Sequence, residues 1–178
     1  MNIEQLKYPI GKFICEGTID QSNIENWIQE LSTFPLRLRN EVENLNDKQL
    51  DTRYRKEGWT IRQVIHHCAD SHMNSFIRFK LALTEDNPTI KPYYEERWSE
   101  LVDSKVMSIE SSLKIIEGLH TRWTILIQNL TESDLTKTFT HPESGRSYKL
   151  NETIGLYAWH SNHHLAHIVE TKKQYNWI

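Results

Sequence analysis

Nine histidines in a chain of 178 residues, four of them within eight positions, are where chemistry is concentrated. The run is His160-Ser161-Asn162-His163-His164-Leu165-Ala166-His167, set in a stretch of helical period. At ~100° per residue, His160, His164 and His167 fall on one helix face within a sector of roughly 60°. The i, i+4 pair His160/His164 stacks two imidazoles one turn apart and can aim both at one metal ion. His167 is two turns from His160, about 10 Å along the axis, too far to share that ion comfortably. A third ligand must come from another element. Helices offer HxxxH by chance, so a solvated or hydrogen-bonded histidine face explains the same spacing.

A second helix supplies a facing surface. With Val64 at 0°, Ile61, Ile65, Cys68, Ala69 and Phe76 occupy roughly 40–120°, with Ala69 slightly beyond. His67, Ser71, Asn74 and Arg78 fall together at roughly 280–340°. Such a polar stripe can face solvent, or it can line a cleft inside a bundle, where metal sites are built from facing helices. His66 lies off the stripe and is expected at the periphery. His72 is on the apolar side and reads as a hydrogen-bonded core histidine. His120 shares a core stripe with Ile116, Trp123 and Ile127 and is expected to be buried and hydrogen-bonded. His141 is expected to be exposed, and His163 to reach solvent or a dimer contact. Asp70, Ser71, Asn74, Arg78, His120 and His167 are pocket candidates, each from its facing alone.

Four helical segments must position these residues. The first begins near Ser22 and carries Ile24, Trp27, Ile28, Leu31, Leu38, Val42 and Leu45, with Pro35 expected to kink or split it. The second opens with the capping box Thr60-Ile61-Arg62-Gln63 and runs to about Thr84. The third starts near Ser108 and extends to Leu130, and the fourth runs from Asn151 or Glu152 through Ile168. A long stretch with Pro88, Pro92 and Trp98 joins the second helix to the third, enough to carry the chain back along a bundle and set those two helices parallel. Thr138–His141 and Arg146–Leu150 flank Pro142-Glu143-Ser144-Gly145 as a small β-hairpin before the last helix. Tyr8-Pro9-Ile10-Gly11 reads as an extended arm packed on the bundle. A faint echo pairs Thr60-Ile61…His67 with Thr153-Ile154…His160, a spacing that chance also produces; it puts both histidines two turns from their helix starts. The expected architecture is all-α, a four-helix bundle in a single domain spanning 1–178.

Composition removes several classes of function. Twenty-one Lys and Arg against 24 Asp and Glu give a net charge of −3, which argues against nucleic-acid binding through a basic field. A mean hydropathy of −0.64 and the lack of a long apolar run argue against a membrane span. The first residues show no secretory signal pattern, so a cytoplasmic chain is expected. Two cysteines, Cys15 and Cys68, make neither a disulfide framework nor a thiolate zinc site. The six glycines form no phosphate-binding loop.

These residues resemble the DinB/YfiT-like metalloprotein family, most closely its YfiT-type metal-dependent hydrolases. The resemblance covers nearly the whole chain. It rests on Tyr8-Pro9-Ile10-Gly11, Gly58-Trp59-Thr60, Arg62-Gln63-Val64, His66-His67, Ala69-Asp70-Ser71-His72-Met73-Asn74 and Ile77-Arg78-Phe79-Lys80. Leu119-His120, Arg122-Trp123-Thr124, Gly155-Leu156-Tyr157, Trp159-His160-Ser161 and His163-His164 complete it. It implies a four-helix bundle holding one divalent metal ion per chain through His67, His160 and His164, with zinc first and nickel or iron also suited to three imidazoles. It implies hydrolysis of a small-molecule substrate with metal-activated water as nucleophile. No glutamate lies between the two helix-four histidines to act as a general base, as HExxH would provide. Some relatives with this bundle are bacillithiol-type thiol S-transferases, and a non-catalytic metal-binding stress protein is a third class. The resemblance also implies a homodimer, for which Tyr93, Tyr94 and Trp98 can supply apolar anchors; the same aromatics can instead cover the chain's own bundle.

Overall fold

The structure, a computed structural model, describes residues 3–15 and 17–177. Its elements are α1 (Ile3–Lys7), α2 (Gln21–Val42), α3 (Asp47–Leu50), α4 (Ile61–Thr84), α5 (Glu95–Trp98), α6 (Val102–Val106), α7 (Glu110–Gln128), α8 (Glu132–Leu135), β1 (Thr138–Thr140), β2 (Ser147–Lys149) and α9 (Leu150–Gln174). The long helices α2, α4, α7 and α9 form the bundle. Both α2 and α4 pack against α7 and α9, so α2 sits diagonally across from α4 and α7 from α9.

Local chemistry starts these helices where the residues dictate. Asp20 and Asn23 form a reciprocal capping box at the head of α2, and Thr60 and Gln63 do so for α4. α9 follows β2 directly and begins at Leu150, slightly before the expected start. The hairpin pairs Phe139 with Tyr148 in antiparallel register, as expected. Gly155 lets α9 approach α2 closely, since a Cβ there would lie 2.8 Å from the Trp27 ring.

Three expectations need correction. Pro35 does not split the first segment: α2 runs unbroken through it. A helix-interior proline removes one amide and frees the carbonyl four residues earlier, here that of Leu31, and a side-chain donor takes that position. Tyr8–Gly11 is a turn rather than an extended arm, closed by the Gly11 amide on the Tyr8 carbonyl and preceded by α1. The stretch between α4 and α7 is not featureless, because it contains α5 and α6.

That crossover is pinned at both ends. The Ile90 amide donates to the Thr140 carbonyl and the Thr140 amide to that of Pro88, which fastens its start to the hairpin. Gln63 Nε2 donates to the buried Ser99 carbonyl at 2.8 Å. Buried Arg62 reaches the Met107 carbonyl at 2.8 Å while pairing with Asp47 and Asp51 at 2.8 and 2.7 Å. Residues 93–97 are thereby carried past α4 and α9.

The core lies in two apolar halves. One gathers Ile24, Leu31, Phe79, Trp123, Ile127 and Ile154; the other gathers Phe34, Leu38, Ile61, Ile65, Cys68 and Ile116. Cys68 is fully buried, as its place in the apolar pattern predicts. No helix among the described residues is long and apolar enough to cross a membrane.

Candidate metal centre

The face predicted on the last helix is turned inward. His67 of α4 and His160 and His164 of α9 meet with their ligand nitrogens all within 4.8 Å of one another. His67 Nε2 lies 3.3 Å from His160 Nε2. Two imidazoles on one tetrahedral ion at ~2.0–2.1 Å are separated by roughly that distance. The donor set therefore fits a divalent ion such as zinc. The Trp59 ring covers this cluster, its centroid 4.6 Å from that of His67 and 6.4 Å from that of His164.

Burial keeps these imidazoles neutral, the form that binds metal. It pushes His67 down to about 4, with His163 adding to the effect. His160 and His164 are held well below the ordinary histidine value by burial first and by neighbouring imidazoles second.

Two further histidines stand directly behind His160. His72 Nε2 is 3.0 Å from His160 Nδ1, and His72 Nδ1 is 2.7 Å from His120 Nε2. His120 Nδ1 donates in turn to the Leu31 carbonyl at 2.7 Å. Both rings pack on Phe34 with centroids 5.4 Å away. Sequence reading places His72 and His120 in the core, and they are buried there; that they line up behind His160 could not be read from one helix at a time.

His167 is also brought to the site. Its Nδ1 lies 3.4 Å from His164 Nδ1, and its Nε2 donates to the Lys7 carbonyl at 3.1 Å. Tyr54 stacks on its ring at 4.0 Å. His163, His164 and His167 form a second group with ligand-like spacing. Since His167 spends Nε2 on a carbonyl, its one remaining nitrogen faces His164.

A cavity of about 590 Å³ opens beside His160, lined in part by Ser71, Arg78, Tyr93, Glu95, His141 and Tyr157. Two pocket candidates from the α4 stripe, Ser71 and Arg78, lie on its wall. Asn74 of the same stripe and Asp70, the α4 candidate beside it, are not among its lining residues. Asn74 instead donates to the Asp70 carbonyl, and burial with Asp103 nearby raises the Asp70 carboxyl to about 6. Arg78 makes no ion pair within 4.0 Å among the described residues, and its buried Nε has no hydrogen-bond partner. Glu95 sits at the rim, its carboxyl raised by partial burial and then by Glu96.

Several histidines lie elsewhere than expected. His66 is buried rather than peripheral, bonded through Nδ1 to Ser112 Oγ at 2.7 Å, because α6 and α7 cover that side of α4. His163 is buried against Trp159, with ring centroids 4.5 Å apart, rather than reaching solvent. His141 is half-buried on the cavity wall instead of exposed. Tyr93 packs against Trp98 with centroids 4.7 Å apart, whereas Tyr94 stays exposed beneath Arg97. Tyr93, Glu95 and Trp59 were missed as site residues, since they lie in segments without helical period.

Known proteins share this sequence and fold. Residues 30–168 match the DinB superfamily. The chain is 54% identical over 175 residues to a Bacillus mycoides (strain KBAB4) protein named "Putative metal-dependent hydrolase", covering 98% of this chain and 100% of that one. A Bacillus anthracis protein of the same name is likewise 54% identical, with the same coverage. Among solved structures, YfiT from Bacillus subtilis, described as a probable metal-dependent hydrolase with an unusual four-helix bundle topology, superimposes with a TM-score of 0.96 at 48% identity. That match covers 98% of this chain and 99% of YfiT. A mycothiol-dependent maleylpyruvate isomerase shares the fold at a TM-score of 0.60 and 16% identity, over 78% of this chain and 57% of the isomerase.

Proposed function

Because the chain belongs to the DinB superfamily, we propose that it is a metal-dependent hydrolase whose divalent ion is held by His67, His160 and His164. The observation that carries this reading is the convergence of three neutral imidazoles from two helices, with nitrogens within 4.8 Å, beside an open cavity. A divalent ion bound there supplies Lewis acidity toward water and toward a carbonyl or phosphoryl oxygen. Three protein ligands leave a coordination position free for that chemistry.

The chain's own residues supply the rest. Arg78, without an acidic partner, is suited to hold a carboxylate or phosphate group of a small-molecule substrate in the cavity. Glu95, a carboxyl on the cavity wall whose affinity for a proton is raised by partial burial and then by Glu96, is the residue suited to exchange a proton with a bound substrate. Ser71 and Tyr157 face the same space and can hydrogen-bond a polar substrate.

A thiol S-transferase is the second reading, favoured by one observation. Both groups with ligand-like spacing consist of histidines alone, so no carboxylate within them stands ready to take a proton from a bound water, and a thiol needs none once it is bound as thiolate. The test is turnover by the purified chain loaded separately with zinc, nickel or ferrous iron. Ester, amide and phosphoester panels come first, then a low-molecular-weight thiol with an electrophile. Hydrolysis that is lost with chelator and in Arg78→Ala supports the first reading. Thiol-dependent turnover without hydrolysis replaces it with the second.

A further inference from the structure

We infer that the two α9 imidazoles are aimed by one-way hydrogen-bond chains, each ending on a backbone carbonyl that helix geometry leaves free. His72, His120 and His167 are then positioning residues that leave Nε2 of His160, 3.3 Å from His67 Nε2, and Nε2 of His164 as the lone pairs free to bind. The inference rests on the metal reading for its purpose, but not for its proton assignments.

Those assignments start from oxygen. A carbonyl only accepts, so the 2.7 Å contact to Leu31 places a proton on His120 Nδ1. A neutral imidazole carries one N–H, so His120 Nε2 is an acceptor. Its partner at 2.7 Å, His72 Nδ1, therefore donates. His72 Nε2 is left as the acceptor at 3.0 Å from His160 Nδ1, which donates in turn. The proton of His160 is thus on Nδ1 and its lone pair on Nε2, the atom 3.3 Å from His67 Nε2. The second chain is shorter and obeys the same logic. The Lys7 carbonyl fixes a proton on His167 Nε2, His167 Nδ1 accepts, and His164 Nδ1 donates across 3.4 Å. That leaves His164 Nε2 as its free lone pair.

Neither carbonyl is available by accident. Leu31 stands four residues before Pro35, which has no amide to offer it. Lys7 is the last residue of α1, where helix carbonyls lose their partners. Because each chain ends on an oxygen that cannot give a proton, it cannot run backwards. Metal-bound histidines commonly donate their second N–H to a carboxylate or a carbonyl, which fixes ring orientation. These chains contain no carboxylate, so they set direction without adding negative charge behind the ligands.

The first test needs no metal. In chelator-treated protein labelled with ¹⁵N-histidine, long-range proton–nitrogen correlation spectra are expected to show His72, His120, His160 and His164 as Nδ1–H tautomers and His167 as the Nε2–H tautomer. An Nε2–H tautomer at His160 overturns the inference. The second test measures zinc dissociation constants by competition with a chromophoric chelator. His72→Phe and His167→Leu are expected to weaken binding by about 10–100-fold. His72→Gln and His167→Gln are expected to recover most of it, since a carboxamide accepts from the ligand N–H and donates onward. Unchanged zinc affinity in the Phe and Leu variants also overturns it, as does a Gln variant no better than its apolar counterpart. If a variant fails to fold, the tautomers of the unaltered chain decide. If the unaltered chain carries these tautomers yet binds no zinc, the metal reading fails while the proton assignment stands.

Discussion

The supports behind His160 and His164, the two α9 residues of the proposed metal site, differ in depth. Behind His160 the chain passes through α4 and α7 to α2, and His72 and His120 are buried at 0% and 1% exposure. Behind His164 it takes one step along α9 and ends on α1, a helix with no buried residue. The first is part of the core and shares its rings with Phe34 and Trp123. The second depends on a peripheral segment laid over the bundle. One ligand is therefore oriented by the fold as a whole, the other by an element that can be removed from outside.

The largest effect tests whether the two ligands are equivalent at the ion itself. His160→Ala and His164→Ala are both expected to lower metal content from about one ion per chain to near zero, read by elemental analysis after dialysis. Retention of metal in either variant removes that residue from the site.

A smaller effect distinguishes the deep chain through pH. Burial pushes His120 down to about 4, while the Leu31 contact opposes that fall only in part. In the unfolded chain the same imidazole takes a proton near ~6.5. Between those values the unfolded state binds more protons, so stability is complete above about pH 6.5 and is lost as pH falls toward 4. The contribution of His120 is at most roughly 3 kcal/mol. Urea unfolding of the metal-free unaltered protein and of its His120→Gln variant at pH 7.5 and pH 5 isolates it, because the other buried histidines are lowered in the same direction and act in both; an equal pH dependence in the two contradicts it.

Removal of residues 1–7 isolates the shallow chain. Zinc binding is expected to weaken by about 3–10-fold, because His167 Nε2 is left to water while the rest of the site stays intact. The melting temperature should move by no more than about 2 °C, since no residue of α1 is fully buried and only Leu6 and Lys7 are half-buried. A loss of folding on truncation would show that the arm belongs to the core after all.

Pro35→Ala gives the smallest expected change and the sharpest contrast. It restores an amide that competes with His120 for the Leu31 carbonyl, so zinc affinity should fall by about 2–3-fold. Folding stability should hold or rise, because alanine suits a helix interior far better than proline. Affinity and stability changing in the same direction would break the link between this proline and the site.

How much of this was legible beforehand depends on range. The capping box at Thr60, the hairpin around Phe139 and Tyr148, and the α9 face bearing His160 and His164 are local patterns, and each is present where the sequence puts it. His67 was visible only as one residue on a polar stripe, and its role came from resemblance rather than spacing. Pro35 left a kink and a split both open from sequence, because its helix-breaking tendency is intrinsic, whereas the donor that takes the freed carbonyl of an unbroken helix comes from α7.

Sequence by itself determined which residues lie on a common face, since 3.6 residues per turn is a property of one chain segment. It also determined that nine histidines had to find either solvent or partners. Only the tertiary structure decided which partners. His72 meets His160 across 88 positions and His120 meets Leu31 across 89, contacts set by the packing of both α2 and α4 against α7 and α9. No periodicity encodes a distance between helices, so the direction of each proton in the site became readable only once the bundle closed.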